Sequence, residues 1–100
     1  MKKVLITGAS QGIGFELAKE FSRIGDSALY LVARDIKKLE NLQFEIKKIN
    51  PDIVSYILAI DLTLPKSIDS LMSNIKNRFG KLDIIVNNAG ILVKNNFKDI

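Results

Sequence analysis

The sequence contains no cysteine, which excludes disulfide scaffolds, thiolate metal sites and cysteine nucleophiles. It contains no histidine either, which removes Ser-His-Asp catalysis and the commonest metal ligand; no metal site is expected. The longest apolar runs fall far short of the ~20 residues that a membrane-crossing helix needs. Met1-Lys2-Lys3-Val4-Leu5-Ile6 begins like a secretion signal, but Thr7-Gly8 stops the apolar run too early. The expected compartment is therefore the cytoplasm, with no membrane partner. Charge imbalance is small: fifteen Lys and Arg against eleven Asp and Glu give +4. These basic residues are spread along the chain, which fits a small anionic ligand and argues against a nucleic-acid partner.

Hydrophobic residues at 47% and charged residues at 26% are ordinary globular usage, so disordered and fibrous classes are excluded. A chain of 100 residues makes one domain at most, here residues 1–100. Val4-Leu5-Ile6 reads as a strand buried on both faces. From Gly12 the period changes, and Ile13, Leu17, Phe21 and Ile24 form one apolar helix face closed by Gly25. Ala28 to Ala33 is a second apolar strand. Asp35 caps a second helix with the stripe Leu39, Leu42, Ile46 and Ile49, stopped by Asn50-Pro51. Ile53 to Ile60 reads as strand three. Pro65 opens a third helix with Ile68, Leu71, Met72, Ile75 and Phe79 inward, and Leu82 to Val86 is strand four.

This alternation, with nearly unbroken apolar strands, predicts an α/β fold: a doubly wound parallel sheet of Rossmann type, stopping after strand four. Right-handed crossovers give the strand order 3-2-1-4. Periodicity alone leaves a flavodoxin-like order open; the glycine motif decides.

Thr7-Gly8-Ala9-Ser10-Gln11-Gly12-Ile13-Gly14 lies where strand one gives way to helix one. Gly8 permits a sharp turn, Gly12 a close approach of backbone to an anion, and Gly14 tight packing of helix on sheet. The helix N-terminus then offers free N–H groups and the positive dipole end to a pyrophosphate. A P-loop is excluded, because no Lys-Ser/Thr pair follows the second glycine. A plain glycine-rich turn is the competing reading, and three glycines at these offsets weigh against it.

These residues resemble the Thr-Gly-x-x-x-Gly-x-Gly fingerprint of the short-chain dehydrogenases/reductases, in the classical form of that family. Asp61-Leu62 is similar to the family's adenine-contacting pair, and Asn87-Asn88-Ala89-Gly90 matches its motif after strand four. Ala33-Arg34-Asp35 and Lys81-Leu82-Asp83 are similar to the carbonyl reductases within it. The resemblance implies a nicotinamide dinucleotide held by Gly8, Ser10, Gln11, Gly12, Ile13 and Gly14 at the first turn. Further contacts are implied from Arg34, from Asp61 and Leu62, and from Asn88, Ala89 and Gly90. NAD-preferring members place an acid where Ala33 stands, to bond the ribose 2′-hydroxyl. Arg34 follows Ala33 instead, which points to NADP ahead of NAD; Gln11 pulls the other way, because many NADP-preferring relatives carry Arg or Lys there. Lys37, Lys38, Lys47 and Lys48 read as a solvated helix face.

The implied chemistry is hydride transfer between NADP(H) and a small carbonyl or alcohol substrate. A tyrosine would act as acid/base with its pKa lowered by a lysine, and a serine would orient the substrate oxygen. In the family these sit on a Tyr-x-x-x-Lys helix and a preceding strand, beyond Asn-Asn-Ala-Gly. The two tyrosines here, Tyr30 and Tyr56, lie inside strands, so no catalytic residue is assigned. The expectation is the cofactor-binding half of an oxidoreductase, with homo-oligomer contacts in later helices. The rival reading is a naturally short, non-catalytic nucleotide-binding or regulatory module. An S-adenosylmethionine enzyme is disfavoured by the glycine spacing.

Overall fold

A computed structural model of the chain describes residues 1–88. Four strands alternate with three helices: β1 (Lys2–Thr7), α1 (Gly12–Ile24), β2 (Ser27–Ala33), α2 (Ile36–Ile49), β3 (Val54–Ala59), α3 (Pro65–Arg78) and β4 (Ile84–Asn87). All strand pairs are parallel, in the order β3-β2-β1-β4, the Rossmann-like arrangement that the alternation predicts. The chain winds outward from β1 to β3, then crosses back to place β4 on the other side of β1. That reversal is the topological switch point, where open parallel sheets carry their crevice. Register makes the crevice flush, since Thr7 is level with Val32 of β2 and Asn87 of β4.

Side chains alternate across the sheet with period two. Val4, Ile6, Leu29 and Leu31 pack with Ala18 of α1 and with Leu39, Leu42 and Ile46 of α2. On the opposite face Leu5, Tyr30 and Val32 pack with Leu71 and Ile75 of α3 and with Phe79. Tyr30 meets Phe79 edge to face at 5.6 Å, the geometry that the ring quadrupoles favour. Burial pushes the Tyr30 phenol above its ordinary range, so it is neutral at neutral pH and serves as core.

Helix α1 departs from the sequence expectation. Its buried row is Gly14, Ala18 and Ser22, whereas Ile13 and Ile24 are 69% and 74% exposed and Leu17 and Phe21 are half-buried. Small residues at four-residue steps let the helix axis approach the sheet more closely than a row of large ones would. Once Gly14 faces inward, the 3.6-residue period turns Ile13 out to the flank. Strand β3 also differs, being half-buried instead of buried, because it is the outer strand and pairs with β2 alone among the described residues.

The end of β4 nearer α3 is tied to β1 by a reciprocal pair. Lys3 N–H donates to Asp83 Oδ2 at 2.8 Å, and Asp83 N–H donates to Lys3 O at 2.8 Å. The bond from Lys3 N–H, with Lys81, Lys2 and Lys3 nearby, holds the Asp83 carboxyl below the usual carboxylate range. A carboxylate favoured in the folded state contributes stability above its unfolded pKa and loses it as pH falls through the lower, folded one. Urea midpoints measured from about pH 5 down to about pH 2 should therefore fall more steeply for the wild type than for Asp83→Asn. Equal slopes would remove this tie from the acid response.

Candidate functional site

At the C-terminal end of the sheet, backbone bonds draw the loops together. Ala9 N–H donates to Val32 O at 3.1 Å, and Ile60 N–H donates to Ala33 O at 2.9 Å. Ala9 is wholly buried, anchoring the glycine turn to β2 beneath it. Gly8 has φ 64° and Gly12 φ 63°, the left-handed region where a side chain is strained. Gly14 explains the close approach of α1. A β-carbon there would stand 2.6 Å from Gly8 O and 3.1 Å from both Ala9 Cα and Asn88 Nδ2. At Gly12 a β-carbon would meet no protein atom within 4 Å; that position faces open space.

Asn87, the last residue of β4, and Asn88 after it hold this turn from the other side. Thr7 Oγ1 is 3.1 Å from Asn87 Oδ1 and donates to it, and Asn88 Nδ2 donates to Gly8 O at 3.3 Å. Thr7 is fully buried, so its hydroxyl is committed to the β1–β4 junction. Ala89 and Gly90, expected from sequence to contribute, lie outside the described residues.

Between these loops runs a groove of ≈ 350 Å³. Gly8, Ser10, Gln11 and Asn88 form one wall, and Ala33, Arg34, Asp61 and Leu62 the other. Six of the sequence-selected residues beyond Gly8 therefore converge here. Gly12, Ile13 and Gly14 do not line it; they form the first turn of α1 beside it. Leu62 offers mainly backbone, because its side chain is buried against Leu5 and Leu71. Ile60 and Thr63 also line the groove and were missed from sequence, although Thr63 had a signal: it sits two residues after a carboxylate.

Asp61 accepts from Thr63 Oγ1 at 2.6 Å and from Thr63 N–H at 2.9 Å, both on Oδ1. These bonds, the hydroxyl's first, hold its carboxyl below the usual range, with Arg34 close enough to lower it further. Asp61 is thus both the turn residue and a groove residue, with Oδ2 left over for a donor such as an amino group. Arg34 and Asp61 are the charged side chains of the groove, and Arg34 makes no ion pair among the described residues.

The helices differ in how their N-termini are filled. Asp35 caps α2 with its own carboxylate, accepting from Lys37 N–H at 3.0 Å and Lys38 N–H at 3.2 Å. The N-cap of α1, Gln11, makes no side-chain cap bond, and its first turn holds no acid. Among the described residues the first-turn amides of α1, like those of α3, receive no acceptor from a capping side chain, and those of α1 stand at the positive end of the helix dipole beside the groove.

A family model for short chain dehydrogenase matches residues 2–100. The chain belongs to the short-chain dehydrogenase family. An uncharacterized oxidoreductase of Staphylococcus saprophyticus is 41% identical over 91 residues, which is 91% of this chain and 35% of that protein. Among solved structures, L-sorbose reductase of Gluconobacter frateurii, complexed with NADPH and L-sorbose, superposes with a TM-score of 0.81 at 34% identity. It covers 89% of this chain and 33% of that one. A metagenomic short-chain oxidoreductase in complex with NADP gives 0.80 at 31% identity, with 90% and 39% covered. The chain thus spans about a third of the length of these family members. Among the described residues no helix is long and apolar enough to cross a membrane, and no group of His, Cys, Asp or Glu is arranged to hold a metal.

Proposed function

We propose that this chain is the cofactor-binding part of an NADP-dependent oxidoreductase that interconverts a small carbonyl compound and its alcohol. The observation that carries the reading is the uncapped, acid-free start of α1 behind a turn whose glycines leave open space at Gly12. The residues present fit a dinucleotide. The amides of the first turn of α1 would hold the pyrophosphate, Asp61 Oδ2 would accept from the adenine amino group, and Asn88 would line the ribose on the nicotinamide side. Arg34 would meet a 2′-phosphate with its guanidinium fork. The L-sorbose reductase structure, complexed with NADPH, and the metagenomic one, in complex with NADP, support that choice over NAD. When bound, the nicotinamide supplies or accepts the hydride.

The chain's own residues bind and orient; none of the groove's described side chains is an acid positioned for a substrate oxygen. Tyr30 is locked in the core, and Tyr56 sits in β3 under the Arg78 guanidinium at 4.8 Å. The family resemblance places the proton donor on a Tyr-x-x-x-Lys segment, which these 100 residues do not contain. A soluble readout tests the cofactor role. Gly12→Ala adds a methyl group where no protein atom collides, strains a left-handed residue by about 1–2 kcal/mol, and intrudes on the anion's approach. NADPH affinity measured by fluorescence titration of full-length protein should fall more than about tenfold, or 1.4 kcal/mol, with the fold intact by circular dichroism. Unchanged affinity would reject the phosphate role. Tight NADPH binding without turnover of any carbonyl in a broad panel would favour the non-catalytic module instead.

A further inference from the structure

Thr63 is exposed and lines the groove beside Asp61, yet none of the contacts assigned to a dinucleotide uses it. Its hydroxyl donates to Asp61 Oδ1 at 2.6 Å, and its N–H donates to the same oxygen at 2.9 Å. The backbone that carries Asp61 is pinned on both sides. Ile60 N–H donates to Ala33 O at 2.9 Å, Leu64 N–H donates to Asp61 O at 3.1 Å, and the Leu62 side chain is buried. With the main chain fixed, the freedom left to Asp61 lies in its side-chain torsions. Two donors from Thr63 on one oxygen restrict those as well.

That arrangement gives the two carboxylate oxygens different roles. Oδ1 is committed to the turn. Asp61 makes no ion pair among the described residues, so Oδ2 is the acceptor that it offers to the groove. The Thr63 hydroxyl is the first cause holding the carboxyl below its usual range. At neutral pH Oδ2 therefore carries no proton and can only accept. A purine with an amino group at C6 presents two donors there, whereas one with a carbonyl presents lone pairs. The first bonds an ionised carboxylate oxygen, and the second is repelled by it. A site built to bond one polar group rejects the analogue lacking it, because its own acceptor is then left unpaired.

We propose that Thr63 is a positioning residue that holds Asp61 Oδ2 toward C6 of the purine and so makes the groove select a 6-amino over a 6-oxo base. This rests on the reading of the groove as a dinucleotide site with Asp61 against the adenine. The test titrates full-length protein with NADPH and with its reduced hypoxanthine analogue, following dihydronicotinamide fluorescence. The readout is the ratio of the two affinities. Thr63→Val keeps the side-chain shape and the backbone bond but loses the hydroxyl. It should lower the preference for NADPH about three- to tenfold, and Thr63→Ser should restore it. Asp61→Asn should lower the preference further, because the Thr63 donors keep the amide oxygen on the turn and leave Nδ2, a donor, facing the base. If Thr63→Val weakens both cofactors alike, or Thr63→Ser fails to restore the ratio, Thr63 only supports the turn and the inference is overturned. If Asp61→Asn shifts the ratio and Thr63→Val does not, Thr63 is excluded while the Asp61 reading stands. A ratio that neither variant moves overturns both. A wild type that binds neither cofactor overturns the dinucleotide reading, and the inference with it.

Discussion

Gly14→Ala is expected to displace helix α1 from the sheet and to cost the protein about 2–3 kcal/mol. The added carbon would come within 2.6 Å of Gly8 O and 3.1 Å of Ala9 Cα. Both are backbone atoms in a turn that is itself bonded to β2 through Ala9 N–H, so neither can step aside cheaply. The helix would have to move out, opening the row Gly14, Ala18 and Ser22 that packs on the sheet. Asn88 Nδ2, 3.1 Å from the same point, would lose its bond to Gly8 O, and the groove wall would move with it. Urea unfolding of full-length protein should show the stability loss, and NADPH binding should weaken at least about tenfold. Gly12→Ala is the informative companion, because its added carbon meets no protein atom within 4 Å and its stability loss should stop at the left-handed strain of about 1–2 kcal/mol. A Gly14→Ala protein as stable as wild type would contradict the packing role.

Arg34→Asp carries the second large effect. Arg34 is exposed at the end of β2 and has no ion-pair partner among the described residues, so its loss should leave the fold alone. A charge-assisted bond to the 2′-phosphate is worth roughly 1.5–3 kcal/mol, and an aspartate would add repulsion while offering an acceptor to a 2′-hydroxyl. The ratio of NADPH to NADH affinity should fall about ten- to a hundredfold. A wild type that prefers NADH, or a ratio that does not move, would show that Arg34 does not read the ribose.

Much of the architecture was legible in the sequence because buried parallel strands and amphipathic helices leave different periods. The glycine motif added the strand order, since it belongs to one kind of switch point. What periodicity misread was α1. Ile13 and Ile24 look like a core stripe, but hydrophobicity does not register that Gly14, Ala18 and Ser22 are small enough for the helix to press on the sheet. Half-burial of β3 was hidden for a related reason, because an outer strand can be as apolar as a central one. In the candidate site, Gly8, Arg34, Asp61 and Asn88 were legible as strand-end residues. Thr63 was not, because it acts through a local turn on Asp61.

On the proposed function, the turn after β1 and the residue after β2 together hold a 2′-phosphorylated nicotinamide dinucleotide. A crystal structure of the full-length protein grown with NADPH tests it most directly. The expected result places the pyrophosphate at the amides that open α1 beside Gly12, adenine against Asp61 and Leu62, and the 2′-phosphate within hydrogen-bonding distance of the Arg34 guanidinium. A dinucleotide bound away from the start of α1, or one whose 2′-phosphate points to solvent with Arg34 turned elsewhere, would contradict it.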